Sequence, residues 1–208
     1  DADRSGQIYR RVRVHQRLSG AQAQFARGYG PAQQAGRVNR MCGAELKALP
    51  GGVQRVAAAL QQAGHLHAPR MLDDACRTAQ QAADALGIAV GQVAKSIIFR
   101  RMSDDAVVLV ITSGDRRVDA AKVEALVGAL GRADAAFVKA RTGFSIGGVA
   151  PIAHAEPGVT LIDRELLRFD TLWAAAGHPH AVFALSPHDL ERLTGAPLAD
   201  VTEAPERA

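Results

Sequence analysis

Two stretches of this chain hold residues whose types and spacing suit chemistry. The first is Lys95, one of only four lysines in 208 residues, set inside the apolar run VAKSIIF. In an extended strand it shares a face with Val93, Ile97 and Phe99. If that face is core, the ammonium must reach a cleft or an anionic partner, because burying it unpaired costs several kcal/mol. If the strand is an edge, the same lysine points to water and discourages edge pairing. The second stretch is TGFSIGGVAP, residues 142–151, with three glycines and a proline but no acid, histidine or cysteine. It reads either as a tight turn or as a loop whose amides do the work. Gly147 and Gly148 let backbone N–H groups approach a ligand closely, and Pro151 stiffens the exit. Such amides form anion nests or oxyanion holes. A cation beside a rigid amide loop suits an ester substrate with a phosphate close by.

Other constellations are weaker. His65 and His67, and His178 and His180, each place two imidazoles two residues apart, but no acid or cysteine stands nearby with ligand spacing. Both pairs adjoin glycine or proline and read as solvated loop histidines; no metal and no cofactor is expected. Cys76 precedes a helical segment, where the dipole favours thiolate, or else serves as a small buried apolar residue. No G-x-S-x-G elbow and no G-x-G-x-x-G fingerprint occurs. Thr112 and Ser113 end a strand and face either a pocket or a turn. Phe144 either lines the pocket or anchors the loop. Asp119 suits a helix cap better than a catalyst. Arg100, Arg101, Arg116 and Arg117 are placed to track phosphates or to form a solvated face.

The elements that must position these residues follow from periodicity. Val53–Ala63 and Thr78–Leu86 have helical spacing and stop at Gly64 and Gly87. VAKSIIF and AVVLVIT are β-branched runs around Ser103-Asp104-Asp105, a hairpin. Asp119 begins a helix over DAAKVEALVGAL. Ala135–Val138 is short and apolar. VTLID (159–163) and AVFAL (181–185) read as strands. Asp170 is placed to cap TLWAAA before Gly177, and Ser186-Pro187-His188-Asp189 opens a helix that stops at Gly195. Strands and helices intermix without a βαβ rhythm. The expected fold is therefore one α/β (α+β) domain, a curved mixed sheet or partial barrel flanked by helices.

Charge divides the chain. Residues 1–40 hold eight arginines and two aspartates, while the rest carries a slight acidic excess. The basic character belongs to this leader, which lacks sustained periodicity and the apolar stretch of a secretory signal. The expectation is a disordered leader or upstream extension over 1–40, a start at Met41, and a folded domain over 41–208. Two cysteines, Cys42 and Cys76, suit a reducing cytoplasm, and no apolar run reaches the roughly 18 residues of a membrane span.

From about Val53 to Val201 the sequence resembles the YbaK-like, prolyl-tRNA-synthetase-associated editing domains. RTAQQAADALG with VGQVAKSIIFR is similar to their opening helix and lysine-bearing strand. ITSGDRRVDAAKVEAL is similar to the next strand and helix, TGFSIGGVAP to the glycine loop with G-x-x-x-P at Gly147–Pro151, and LWAAAGHPHAVFALSPHDLERLTGA to the closing segment. Ala153 stands where the family usually has glycine. The resemblance implies a freestanding deacylase of mischarged aminoacyl-tRNA, with Lys95 as the functional lysine at the tRNA terminus. Gly147, Gly148 and Pro151 would shape the aminoacyl pocket. A positioned water, helped by the substrate's vicinal ribose hydroxyl or side chain, would replace a protein nucleophile. Partners would be the aminoacyl-tRNA acceptor end and, optionally, a synthetase. The alternative is a pocket of the same fold that binds an aminoacyl group or nucleotide without cutting it.

Overall fold

In the computed structural model of the chain, residues 48–204 are described. The leader, the Met41 boundary and Cys42 lie outside them.

Helix α1 (Gly51–Gln62) buries Val53, Val56, Ala57 and Leu60, one helical stripe. The short strand β1 (Arg70–Met71) follows. Helix α2 (Ala79–Leu86) starts with a capping box between Thr78 and Gln81 and ends on Gly87 at φ 67°. The expected hairpin is β2 (Val93–Arg101) and β3 (Val107–Ser113), antiparallel, with Lys95 opposite Thr112. The Asp119 carboxylate accepts from the amides of Ala121 and Lys122, so it caps α3 (Ala120–Val127). That helix stops three residues before Leu130. Gly128 breaks it at φ 90°, which frees Leu130–Arg132 as strand β4 against β2.

Helix α4 (Ala135–Thr142), capped by Asp134, occupies a segment that the sequence marked only as short and apolar. Strand β5 (Val159–Asp163) matches its expectation. TLWAAA does not form an Asp170-capped helix. Leu172–Ala175 is strand β6, paired with Val93 and Ala94 of β2 on one side and with β7 (Ala181–Leu185) on the other. Leu172 and Ala174 are buried while Trp173 and Ala175 are only partly so, a period of two that strand partners reward. Helix α5 (Pro187–Thr194) has the Ser186–Asp189 capping box and ends at Gly195, and β8 (Leu198–Ala199) follows.

The strands form one mixed sheet in the order β1-β7-β6-β2-β3-β5-β8, with β4 joined to β2. It is an open sheet. One face carries the largest core cluster, where α1, α4, α5 and Phe144 meet Leu109, Ile111, Ile162, Phe183 and Leu185. The other face carries two smaller clusters. One lies under α2, with Val93, Ala82, Ala83 and Val182; the other lies under α3, with Val108, Val110 and Val123.

Candidate active site

Strand β2 lies between β6 and β3 in the sheet, and Lys95 sits on it just past the end of its pairing with β6. Val93, two residues before it, packs under α2, and Phe99 packs against the cluster under α3. Lys95 therefore emerges in the gap between two cores on one face. A second interruption coincides with it. On the side away from β3, strand β2 pairs with β6 at Val93 and Ala94 and with β4 only from Phe99 onward. Residues 95–98 thus have no neighbouring strand there among the described residues. A cavity of about 610 Å3 opens at this split and is lined by Lys95, Ser96 and Ile97. Across it stand Ile146, Gly147 and Val149 of the glycine loop, Trp173 to Ala175 of β6, and the segment Cys76–Gln80 leading into α2.

The Lys95 ammonium donates to the carbonyls of Arg116 and, at 3.4 Å, Gly114. None of the ion pairs among the described residues includes it. Burial pushes its pKa below the ordinary lysine value; the charge of Asp115 opposes that, Arg117 adds to it and Asp163 opposes it again. Carbonyls only accept, so their placement requires N–H donors. Two such bonds still leave one proton of an ammonium for a ligand.

The glycine loop is held rather than loose. The amide of Gly148 donates to Ser145 O at 3.0 Å, closing a turn with Gly147 at φ 88°. That amide is therefore spent inside the loop, while Gly147 itself faces the cavity. A methyl on Gly148 would lie 2.7 Å from the His178 carbonyl carbon, so glycine is needed for close approach to the loop between β6 and β7. Pro151 is buried behind the loop. Phe144 is 1% exposed and belongs to the main core, so it anchors the loop and does not line the cavity. Arg55 of α1 donates to Thr142 O at 3.1 Å and to Ala153 O at 2.9 Å, one carbonyl at each end of the loop.

Thr112 and Ser113 are fully buried and stay outside the cavity lining. Thr112 donates to Asp163 Oδ2 at 3.0 Å. Ser113 Oγ sits 2.6 Å from Gly91 O and 2.7 Å from Asp115 Oδ1, and Arg168 pairs with the same carboxylate at 2.8 Å. They brace the strand end behind the lysine. Of the four arginines considered for phosphate tracking, Arg100, Arg101 and Arg116 are taken up by Asp105, Asp104 and Glu165.

The histidine pairs do not read as expected throughout. His67 is exposed, but the His65 side chain is 2% exposed; Nε2 meets Ala184 O at 2.8 Å and the ring lies edge-on to Phe183. Apolar packing against β7, invisible in a loop motif, buries it. Among the described residues no group of three or more His, Cys, Asp or Glu converges as metal ligands do. Cys76 lines the cavity yet is buried, and its thiol pKa is raised by that burial and by Asp74, opposite to activation.

Residues 73–193 match the model of the aminoacyl-tRNA editing domain. The chain belongs to that family. The editing domain is 38% identical to a candidate trans-editing enzyme for prolyl-tRNA synthetase known from a crystal structure. That likeness covers 76% of this chain and all of the other, at a TM-score of 0.70. A scaffold from work on epitope backbone grafting by computational design is 39% identical over 75% of this chain and all of its own, also at 0.70. The uncharacterized protein YwhH of Bacillus subtilis (strain 168) is 32% identical over 118 residues, 56% of this chain and 74% of YwhH. The editing domain has no helix, among its described residues, long and apolar enough to cross a membrane.

Sequence reasoning brought Lys95 and Gly147 to the cavity of the editing domain and missed Ser96, Trp173 and Arg77, which line it too. Ser96 Oγ is buried there without a hydrogen-bond partner. Strict alternation puts Ser96 on the face opposite Lys95; only the split in the sheet lets both reach one space.

Proposed function

We propose that this chain is a trans-acting hydrolase that deacylates mischarged aminoacyl-tRNA. The carrying observation is the Lys95 ammonium, half-buried at the wall of the cavity and held there by two backbone carbonyls instead of an acid. A carboxylate partner would neutralise it; carbonyls orient it and leave its charge for a substrate. Family membership supplies the substrate class, and a volume of about 610 Å3 lies in the range of small-molecule sites.

In this reading Lys95 engages the tRNA terminus and orients the scissile ester. Gly147, beside Ile146 and Val149, borders the aminoacyl group, while Gly148, Phe144 and Pro151 fix the loop behind it. A water attacks the ester carbonyl carbon, the acyl–oxygen bond breaks, and the ribose oxygen leaves with a proton as the free amino acid departs. The substrate's vicinal hydroxyl or side chain assists the water. The protein contributes position and electrostatics, and the mechanism calls on no metal and no protein nucleophile. The cytoplasm is the compartment this reading requires. A synthetase, prolyl-tRNA synthetase by analogy with the crystallised relative, is the natural partner.

The test is deacylation of a panel of mischarged tRNAs, small amino acids first, by the wild type and Lys95→Ala. Release of one amino acid by the wild type, lost in the variant, supports the proposal and names the substrate. Binding without release across the panel replaces it with a non-hydrolytic aminoacyl or nucleotide module. Equal activity in both proteins moves the site away from Lys95.

A further inference from the structure

The cavity carries polar and aromatic lining well beyond Lys95 and the glycine loop. Trp173 is the only tryptophan in the chain, and it lines this space. Because Trp173 pairs with Val93 across parallel strands, its side chain rises from the same sheet face as Lys95, one strand over. Ala175, two residues further along β6, is small and leaves room between them. The indole is only partly buried, packed on one side against the cluster under α2. Its N–H has no acceptor among the described residues.

Arg77 lines the same cavity from the segment that leads into α2. It is exposed, and its guanidinium makes no ion pair or hydrogen bond with any described residue. Arg100, Arg101 and Arg116 are each held by an acid. An aromatic face, an uncommitted guanidinium and the Lys95 ammonium therefore border one space.

That combination fits a nucleotide: a base stacks on an aromatic ring whatever its sequence identity, and a guanidinium takes its phosphate. We infer that the Trp173 side of the cavity is the subsite for the 3′-terminal nucleotide of the tRNA, with the base on the indole and the adjoining phosphate at Arg77. The inference rests on the deacylase reading above. It divides the cavity, with the nucleotide against β6 and α2 and the aminoacyl group toward Lys95 and the glycine loop.

The single tryptophan makes this testable without turnover. Emission of the full chain is titrated with uncharged tRNA and with the same tRNA lacking its 3′-terminal adenosine, while binding is followed separately by anisotropy of a label on the tRNA. Intact tRNA should quench Trp173 saturably, and the truncated tRNA should bind with little quenching. Equal emission changes with both, or binding of intact tRNA with no change, overturns the subsite. If neither tRNA binds, the subsite and the deacylase reading fall together; if deacylation persists without quenching, only the subsite falls.

Two kinds of variant complete the test. Trp173→Leu should raise KM for mischarged tRNA about tenfold with little change in kcat, and Trp173→Phe should restore most of it. Arg77→Gln, at an exposed position that does not endanger folding, should weaken tRNA binding and reduce its salt dependence by about one phosphate contact. Wild-type KM in Trp173→Leu together with wild-type salt dependence in Arg77→Gln overturns the assignment.

Discussion

The guanidinium of Arg55 lies 4.4 Å over the ring of Phe144. From that position it also donates to Thr142 O and Ala153 O, so one side chain of α1 ties both ends of the glycine loop to the core. The loop's rigidity is therefore supplied from outside it. Arg55 also lies before residues 73–193, the span that the family model matches.

Replacing Arg55 tests this directly. Arg55→Ala should lower stability by about 1–2 kcal/mol, since it removes two charge-assisted hydrogen bonds and a cation–π contact at a partly exposed place. Arg55→Lys keeps the charge but not the planar fork, and it should recover less than half of the loss. Urea midpoints for the three proteins measure this. A lysine variant as stable as wild type would show that charge alone suffices.

Gly147 and Gly148 should separate in the same assay. A methyl on Gly148 would meet the backbone of His178 at 2.7–2.9 Å, where nothing can swing aside. Gly147 has only Pro179 Cγ at 3.9 Å but sits at φ 88°. Gly148→Ala should thus cost about 3 kcal/mol through displaced backbone. Gly147→Ala should cost about 1–2 kcal/mol from the left-handed conformation alone. The reverse order of thermal midpoints would mean that the two loops are not packed as closely as this.

Ala153 shows what the sequence revealed and what it hid. The resemblance marks Ala153 as standing where a glycine is usual, but the consequence was hidden, since φ is a property of the folded chain. Ala153 adopts φ 60°, the region that glycine enters freely. Ala153→Gly should therefore stabilise the protein by about 0.5–1 kcal/mol, the relieved strain exceeding glycine's added unfolded-state entropy. A rise in thermal midpoint with unchanged deacylation is the expected result, and a fall would show that Arg55 already offsets the strain.

The same contrast runs through the fold. Helices with punctuation were legible: Asp119, and Ser186 with Asp189, act as the caps expected of them, because capping is decided within four residues, while Thr78, read as the first helical residue, proves to be a cap with Gln81. TLWAAA misled, because its alanines favour helix locally and only the partners Val93 and Leu185, far away in sequence, make it a strand. Lys95 was conspicuous as a charge in an apolar run. Ser96 and Trp173 were not, because their access to the cavity depends on where β6 stops and β4 begins.

His154 gives a pH dependence with a definite sign. Its Nε2 donates to Ala150 O at 2.7 Å and its ring stands edge-on to Phe144 with centroids 5.7 Å apart, behind the loop that Arg55 clamps. Burial pushes its pKa below the ordinary histidine value, the hydrogen bond to Ala150 opposes the shift, and the Arg55 charge adds to it. The unfolded chain titrates near the ordinary value of about 6.5. Above that pH the imidazole is neutral in both states and costs nothing. As pH falls below it the unfolded state takes up a proton that the folded state resists, so stability declines, by at most about 1.4 kcal/mol per pH unit. Urea midpoints between pH 8 and pH 5 should therefore fall more steeply for wild type than for His154→Gln. Every other titrating group is common to the two proteins, so the difference between the curves isolates this ring. Parallel curves would mean that the imidazolium finds solvent or an acceptor when it forms, and that the loop opens to let it.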